Sequence, residues 1–432
     1  MFRSLLASGT DFGLVDQTGA MPTGRTSSAR TARRLTSALA LAGAAVLAGC
    51  SGAASTPSTD TRTAGAPTVA AASPSATASS SPEATASSSP SAAPSTARTT
   101  PTPAKPSTSP STSRPTGPPE ATDIATGLDT PWGLVALKDG STLVSERDTG
   151  RILRVRDGDS TELTRLDDVR PGGEGGLLGL AITPDQKRVL AYFTAAEDNR
   201  IVAMSWDGSR LGEPTTFLDG IPKGRRHNGG RLVVGPDGYL YVGTGEIGQE
   251  QLAQDKQSLA GKILRVTLAG KPAPDNPFDN EVYSYGHRNV QGLAFDDQGR
   301  LWASEFGNQT WDELNLVTRG SNYGWPEAEG SSKIEGVTNP KLVWRTEEAS
   351  PSGLAYWQGE LWMAALRGER LWEIPVDGTK VGEPKAHFNQ KYGRLRSVTV
   401  TSDGKSLLLT ASNTDGRAAP KDDDDRVMTV RR

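Results

Sequence analysis

The sequence predicts an all-β fold, a six-bladed β-propeller, and three observations lead to this fold class. One outline recurs six times: a short apolar strand, a turn built on Gly, Asp or Gln, and a second apolar strand. The turns follow one another at roughly 45–60 residues, in or just above the range for propeller blades. Segments 122–128 and 426–432 are strand-like ends that can share one blade and close the ring.

Each of the six hairpins is expected to belong to a different blade. In chain order they span 131–144, 177–193, 230–242, 290–304, 351–364 and 395–409. Their turns lie near Gly140, Gln186, Gly238, Gly299, Gly359 and Gly404. The propeller is therefore predicted to occupy residues 120–432, a length that suits a closed multi-blade architecture better than one ordinary domain.

The first 50 of the 432 residues have the pattern of a signal segment. Four arginines between residues 25 and 34 precede an apolar run from 35 to 47, which is too short for a permanent transmembrane helix. The run ends in Leu-Ala-Gly-Cys, which resembles a bacterial lipobox, and Cys50 is the only cysteine of the chain. Lipidation of Cys50 would anchor the protein to the outer face of the bacterial cell membrane, an extracytoplasmic location. A buried free thiol is the alternative interpretation of Cys50.

Residues 51–119 are predicted to form a disordered linker. They consist mainly of Ser, Thr, Ala and Pro with few charges, so they cannot bury enough apolar surface to offset the entropy of ordering. Such a segment would hold the propeller away from the envelope, with the lipid anchor as the only membrane contact. The formal net charge of −3 argues against a nucleic-acid partner, because nucleic-acid binding requires a basic face.

The third hairpin is flanked by a histidine and a glutamate. His227 precedes its first strand and Glu246 follows its second strand, so antiparallel pairing brings the two residues together. A carboxylate beside an imidazole fixes the tautomer and raises the basicity of the ring. His227 is therefore a candidate general base with Glu246 as its partner. Of the other two histidines, His287 is expected to pack in the core or to assist the site, and His387 is expected at a blade edge.

Several arginines indicate a site for an anionic ligand. Arg394 and Arg396 are two residues apart on an extended segment, so their side chains point to the same face. Arg288 and Arg367 occupy equivalent positions in other blades and could converge with them on the propeller axis. Several guanidinium groups in one cleft favour a ligand with carboxylates, since each guanidinium can bind a carboxylate through two hydrogen bonds. A solvated strand face is the alternative.

Two loops add further candidates. The glycine-rich loop 171–176 contains Glu174 and allows close approach of its backbone to another group. Acidic and carbonyl groups cluster between residues 305 and 326, and such an oxygen-rich segment suits Ca²⁺, which takes six to eight oxygen ligands. The spacing matches no EF-hand, and capped turns would explain these residues equally well.

Four segments, in this order, resemble the soluble PQQ-dependent glucose/sugar dehydrogenase family. They are HNGGRLVVGPDG, GHRNVQGLAF, the FGN…DELNLV…NYGWP block, and GRLRSV. The resemblance covers roughly residue 128 to the end. It implies a six-bladed quinoprotein that uses pyrroloquinoline quinone (PQQ) and Ca²⁺, oxidises an aldose or related sugar, and passes electrons to a membrane acceptor or an artificial dye.

The resemblance also implies roles for single residues. His227 would take the proton from the anomeric hydroxyl of the sugar while hydride moves to the quinone, with Glu246 as its acidic partner and Arg288 near the reactive carbonyls. The residues implied to bind the cofactor are Arg288, Asn289, Arg367, Arg394 and Arg396. The residues implied to bind metal are Gly307 and Asn308, through their carbonyls, for the Ca²⁺ that holds the cofactor, and Asp312, Glu313 and Tyr323 for a second Ca²⁺.

The sequence departs from the family pattern near the predicted sugar pocket. Glu174 replaces a substrate-contacting glutamine, Arg226 an aspartate, Asn228 a glutamine and Arg367 a lysine. The loops after the NYGWP segment are shortened, which leaves the identity of the sugar open. One alternative hypothesis is a non-catalytic cell-surface propeller that binds carbohydrate or protein ligands. Another is a Ca²⁺-dependent lactonase, but the axial Asp, Glu and Asn arrangement of that class is not found in this sequence.

Overall fold

The computed structural model describes residues 117–432, which form six antiparallel sheets. Each sheet is one blade, and the first strands of consecutive blades lie side by side around a closed ring. The prediction of an all-β, six-bladed propeller is confirmed. Among the described residues the only helical segment is one 3₁₀ turn, Glu250–Ala253, between blade 3's second and third strands.

Blades 1 to 3 contain strands β2 to β13. Blade 1 consists of β2 (Pro131–Ala136), β3 (Thr142–Glu146), β4 (Arg151–Arg156) and β5 (Asp159–Arg165). Blade 2 consists of β6 (Leu177–Ile182), β7 (Arg188–Thr194), β8 (Asn199–Ser205) and β9 (Thr215–Ile221). Blade 3 consists of β10 (Arg231–Val234), β11 (Leu240–Gly243), β12 (Lys262–Val266) and β13 (Val282–Tyr285).

Blades 4 to 6 contain the remaining strands. Blade 4 consists of β14 (Val290–Phe295), β15 (Leu301–Glu305), β16 (Trp311–Val317) and β17 (Leu342–Arg345). Blade 5 consists of β18 (Pro351–Trp357), β19 (Glu360–Ala365), β20 (Arg370–Asp377), β21 (Lys380–Val381) and β22 (Lys385–His387). Blade 6 consists of β23 (Leu395–Val400), β24 (Leu407–Ala411), β25 (Arg426–Arg431) and β1 (Glu120–Thr126).

Blade 6 joins the two ends of the described chain. Strand β1 pairs with β25 in antiparallel register, with Glu120 opposite Arg431 and Thr126 opposite Arg426. The outermost strand of this blade therefore comes from the start of the propeller and the other three from its end. This arrangement closes the ring as the sequence predicts and leaves no gap between the first and last blades.

The core lies between the blades. The first two strands of each blade are almost wholly buried on both faces, because each sheet packs between two neighbouring sheets. The outer strand β5 is mostly exposed. Trp132, Trp302 and Trp362 are among the largest fully buried side chains. Since burial requires apolar residues throughout the inner strands, the six hairpins are the most visible pattern in the sequence.

The predicted signal segment with Cys50 lies outside the described residues, as does the predicted linker up to residue 116. Within residues 117–432, no helix is long and apolar enough to cross a membrane.

Candidate active site

The hairpin of β10 and β11 holds His227 against Glu246. Its ladder pairs Arg231 with Gly243, so the loops before and after the hairpin emerge side by side. His227 Nδ1 donates a hydrogen bond to Glu246 Oε1, and both side chains are buried. An ionised carboxylate can only accept, so Nδ1 carries the proton and Nε2 is the nitrogen that can accept one.

The backbone around the histidine is unusual and tightly packed. His227 has a φ of 56°, in the left-handed region that side-chain-bearing residues rarely occupy. Gly245 lies against it: a Cβ atom added at Gly245 would be 1.9 Å from the carbonyl oxygen of His227. The amide of Ile247 donates to the same carbonyl oxygen over 3.2 Å. The two loops therefore fix the position from which the imidazole projects.

Glu174, predicted to contact substrate, binds the histidine loop in this structure. Its Oε2 accepts a 2.8 Å hydrogen bond from the amide of His227, and its Oε1 accepts a 2.7 Å bond from Arg417 Nη2. Burial raises the pKa of Glu174, but the Arg417 and His227 hydrogen bonds outweigh that effect and lower it overall. Its contact with substrate stays a prediction.

Arg394 and Arg396 share one buried carboxylate that the sequence analysis missed. Arg394 donates to Asp415 Oδ2 from Nε over 2.9 Å and from Nη2 over 2.8 Å, and Arg396 Nη2 lies 3.2 Å from the same oxygen. Side-chain exposures are 8% for Arg394, 5% for Arg396 and 1% for Asp415. Burial and the neighbouring Arg147 and Arg394 lower the pKa of Arg396 to about 9.

Two further arginines near the axis were also missed. Arg147 makes a two-pronged contact with Asp148, with distances of 2.7 and 2.9 Å. Arg231 is buried with its guanidinium 4.3 Å from the Trp132 ring centroid, and its Nε donates to the carbonyl oxygen of Gln291 over 2.6 Å. Burial, with a smaller effect of Arg396, lowers the pKa of Arg231 to about 9.

A small axial cavity lies between Arg147 and Arg396. It is lined by Arg147, Glu174, Gln291, Phe306, Leu366, Arg396 and Arg417. Three of these residues directly follow the second strand of their blades: Arg147 after β3, Phe306 after β15 and Leu366 after β19. Aligning the six repeats at that position would have identified them from the sequence.

Arg288 and Asn289 lie beside the histidine. Arg288 Nη1 donates to the carbonyl oxygen of Gly307, and its Nη2 lies 3.3 Å from Asn308 Oδ1. Burial is the main cause that lowers the pKa of Arg288. Asn289 Oδ1 accepts a 3.0 Å hydrogen bond from the amide of Gly229, two residues after His227. These contacts connect blade 4 to the loop of the candidate base.

Arg367 does not join the arginines at the axis. It is exposed in the turn between β19 and β20, next to Leu366, which lines the axial cavity. Its predicted role in cofactor binding stays a prediction.

Asp312 and Glu313, two of the residues predicted to bind the second Ca²⁺, accept hydrogen bonds from different backbone amides. Asp312 accepts from the amides of Gly307 and Ser350 over 3.0 and 2.6 Å. Glu313 accepts from the amide of Gly330 over 2.7 Å, and lines a small cavity with Tyr323 and Gly307. Within residues 117–432, no three His, Cys, Asp or Glu side chains form a preassembled metal cluster.

The surroundings of Asp312 and Glu313 disfavour the ionised form of both carboxyl groups. Burial raises the pKa of Asp312 to about 6. Burial and the nearby Glu305 raise the pKa of Glu313 to about 8. A cation in the cavity beside Glu313 would lower the pKa of that carboxyl, and the carboxylates of Glu305, Glu313 and Glu329, which line the cavity together with Arg288, are ligands of the type that Ca²⁺ prefers.

The two remaining histidines have structural surroundings. His287 is fully buried between Ser284 Oγ and Glu305 Oε1, each 2.8 Å away, and stacks on Tyr323. His387 lies in the edge strand β22, where its Nε2 is 2.7 Å from Glu373 Oε2. Neither lines the axial cavity.

Four buried polar atoms of the site have no hydrogen-bond partner among the described residues. They are Glu246 Oε2, Arg231 Nη2, Arg288 Nε and Arg396 Nε. Buried polar atoms are normally paired, so these are available to a bound ligand or to water. Three of the four are guanidinium nitrogens, a set that fits a ligand carrying several carboxylates.

The fold and site together define a six-bladed propeller with a cluster of buried arginines and a buried imidazole–carboxylate pair. Comparison with known proteins agrees with this class. The sequence profile of the glucose/sorbosone dehydrogenase family matches residues 128–419. The chain belongs to this family, which confirms the family predicted from the sequence.

Three similar proteins illustrate the relationship. The PQQ-bound aldose sugar dehydrogenase of Streptomyces coelicolor is 54% identical and has a TM-score of 0.70, with 72% of this chain and 98% of that chain covered. The aldose sugar dehydrogenase YliI of Escherichia coli K12 is 32% identical over 66% of this chain and 87% of its own. The quinoprotein glucose dehydrogenase B of Acinetobacter calcoaceticus is 33% identical over 48% of this chain and 52% of its own.

Proposed function

We propose that this protein is a PQQ-dependent dehydrogenase that oxidises an aldose or related sugar. The observation that carries the proposal is a set of buried arginines with unpaired donors: Arg396, which lines the axial cavity, Arg231, and Arg288, whose carbonyl oxygen accepts a hydrogen bond from the amide of Glu246. PQQ carries three carboxylates, so this donor set suits it. The similar proteins named above are aldose sugar or glucose dehydrogenases, and one is in a PQQ-bound form.

In this proposal the arginines hold the cofactor. Arg394 and Arg396 would bind its carboxylates, Arg288 and Asn289 would contact it with Arg288 near its reactive carbonyls, and Arg367 would add a further positive charge. PQQ, when bound, supplies the electron-poor quinone that accepts the hydride of the sugar. The buried setting of the arginines strengthens their interaction with an anion, because little water remains to screen it.

His227 removes the proton from the anomeric hydroxyl of the sugar. The Nδ1–H contact with Glu246 orients the ring so that Nε2 is the accepting nitrogen, and the carboxylate stabilises the imidazolium that forms. The positive charge of Arg288 interacts favourably with the Glu246 carboxylate. With PQQ bound, the sugar would lose the anomeric hydroxyl proton to His227 and a hydride to the quinone, which would yield a lactone.

Ca²⁺ completes the proposed site. The carbonyl groups of Gly307 and Asn308 would hold the ion that grips the cofactor. Asp312, Glu313 and Tyr323 would belong to a second ion with a structural role. The raised pKa values of Asp312 and Glu313 support a cation here, because a buried carboxylate that binds a metal is kept ionised by it.

After treatment with a chelator, sugar oxidation should require the addition of both PQQ and Ca²⁺. The purified domain from Glu120, stripped with a chelator, is titrated with PQQ with and without Ca²⁺, and dye reduction is followed across a panel of aldoses. Turnover only when both are present supports the proposal. Failure to bind PQQ under any condition would instead favour the non-catalytic binding propeller.

The pH dependence of Ca²⁺ binding to the same domain tests the proposed metal site. Because Ca²⁺ requires ionised carboxylates, its binding releases protons and strengthens as pH rises through the pKa values of about 6 and about 8. The apparent Kd for Ca²⁺, followed by calorimetry, should therefore be lower at pH 8 than at pH 6. Equal affinity at both pH values would remove Asp312 and Glu313 from the metal site.

The proposed location is the outer face of the bacterial cell membrane, through a lipid on Cys50, with electrons passed to a membrane acceptor. Replacing Cys50 with serine should move the full-length protein from the membrane fraction to the soluble fraction, because the thioether bond to the lipid cannot form. Fractionation followed by immunoblotting measures this. A C50S protein that stays with the membrane would show that another feature anchors the chain.

A further inference from the structure

We propose that Glu174 is a positioning residue that holds the backbone of His227, with Arg417 of blade 6 as its anchor. This inference rests on the proposed role of His227 as general base. It differs from a substrate contact, which is the role that the family resemblance implies for this position.

The first support is a pair of hydrogen bonds between two loops. The amide of Glu174 donates to the carbonyl oxygen of Arg225 over 2.9 Å, and its Oε2 accepts from the amide of His227 over 2.8 Å. Glu174 therefore binds the chain on both sides of residue 226. Two bonds at this spacing restrict both the position and the rotation of the loop that carries the imidazole.

The second support is the closeness of the two loops. Gly173 has a φ of 62°, and a Cβ atom at this position would lie 2.0 Å from the carbonyl oxygen of Arg225. A glycine is needed here for the approach. His227 itself adopts a φ of 56°, which persists only where surrounding contacts impose it. The Glu174 carboxylate is one of those contacts.

The third support is a contact from Arg417, which lines the same cavity as Glu174 and whose side chain is 55% exposed. Arg417 Nη2 donates to Glu174 Oε1 over 2.7 Å, and the Arg417 amide donates to Asp415 Oδ1 over 3.0 Å. Asp415 in turn binds Arg394 and Arg396. A continuous series of hydrogen bonds thus runs from the proposed cofactor arginines to the amide of the proposed base.

The charge state of Glu174 fits this role. Burial alone would raise its pKa, but the hydrogen bonds from Arg417 and from the His227 amide lower it overall. The side chain is therefore an ionised acceptor at neutral pH, with each oxygen already bound to the protein. A carboxylate held at both oxygens has a fixed orientation, which suits a support for another residue.

Hydrogen exchange of the apo protein tests the contact without any turnover. In Glu174→Ala the His227 amide should exchange about tenfold faster or more, while the amides of the blade strands keep their rates. Glu174→Gln should restore slow exchange, because its amide oxygen can still accept from His227. Glu213→Ala, an exposed glutamate just before β9, is the matched control and should change nothing. Unchanged exchange at His227 in Glu174→Ala would overturn the inference.

Kinetics of the loaded protein then separate positioning from substrate binding. Glu174→Ala should lower kcat by about 10- to 100-fold, as a small displacement of a base does, while KM stays within about threefold for every sugar. Glu174→Gln should recover most of kcat. A change confined to KM that varies among sugars would assign Glu174 to substrate binding and overturn the proposal. An inactive wild-type protein would count against the proposed function. The exchange experiment would still test whether the Glu174 carboxylate holds the amide of His227.

Discussion

Replacing His227 with glutamine is expected to lower kcat for sugar oxidation by roughly 10²–10⁴-fold, the usual contribution of a general base. Glutamine can still accept from and donate to neighbours, but it cannot take a proton at neutral pH. PQQ affinity should stay within about twofold, since the arginines that are proposed to bind the cofactor are untouched. Steady-state dye reduction and a fluorescence titration with PQQ measure the two quantities.

The chain contains a matched control for this variant. His387 also pairs with a glutamate, with Nε2 2.7 Å from Glu373 Oε2, but it lies in the edge strand β22. His387→Gln should therefore keep kcat while removing a comparable imidazole–carboxylate contact. If His227→Gln turned over sugar at the wild-type rate, the base would have to be another group and the mechanism proposed above would be wrong.

The features that could be predicted from the sequence involve residues and strands that are close together in the chain. Each hairpin joins two strands that are consecutive in the chain, so its turn and its apolar strands appear as one continuous pattern. The meeting of His227 and Glu246 follows from the same logic, because the register of a short hairpin fixes which residues leave its open end together. The contact of Asp415 with Arg394 could have been predicted by the same logic, because Arg394 precedes β23 and Asp415 follows β24 of one hairpin. Ring closure by β1 and β25 was also predictable, since propellers commonly share a blade between their ends.

The features that could not be predicted depend on contacts between blades. Arg231 has the position of an ordinary strand residue in blade 3, and the Trp132 ring that covers it comes from blade 1, two blades away around the ring. The contact between Glu174 and His227 spans 53 residues and joins two loops, which no local periodicity records.

Removing both guanidinium groups of Arg394 and Arg396 is expected to weaken PQQ binding by at least about 100-fold. Truncating one partner of a buried, hydrogen-bonded charge pair costs about 2–5 kcal/mol, and 1.4 kcal/mol corresponds to a tenfold change in Kd. The double variant to alanine is titrated with PQQ in the presence of Ca²⁺. The control is Arg265→Ala. Arg265 lies on β12 and forms a partly exposed ion pair with Asp237, so its loss should leave the affinity for PQQ unchanged.

The double variant also leaves Asp415 buried without a countercharge, and this separates two explanations of any loss of binding. Arg396 and Arg394 hold the pKa of Asp415 below its usual value against the opposing effect of burial. Without them the free energy of unfolding should fall by about 3–5 kcal/mol. Adding Asp415→Asn removes the unpaired charge and should recover much of that stability in a denaturant titration. PQQ affinity should nevertheless stay low, because the donors to its carboxylates are still missing. Recovery of affinity together with stability would show that Arg394 and Arg396 support the fold of the cavity and do not bind the cofactor themselves.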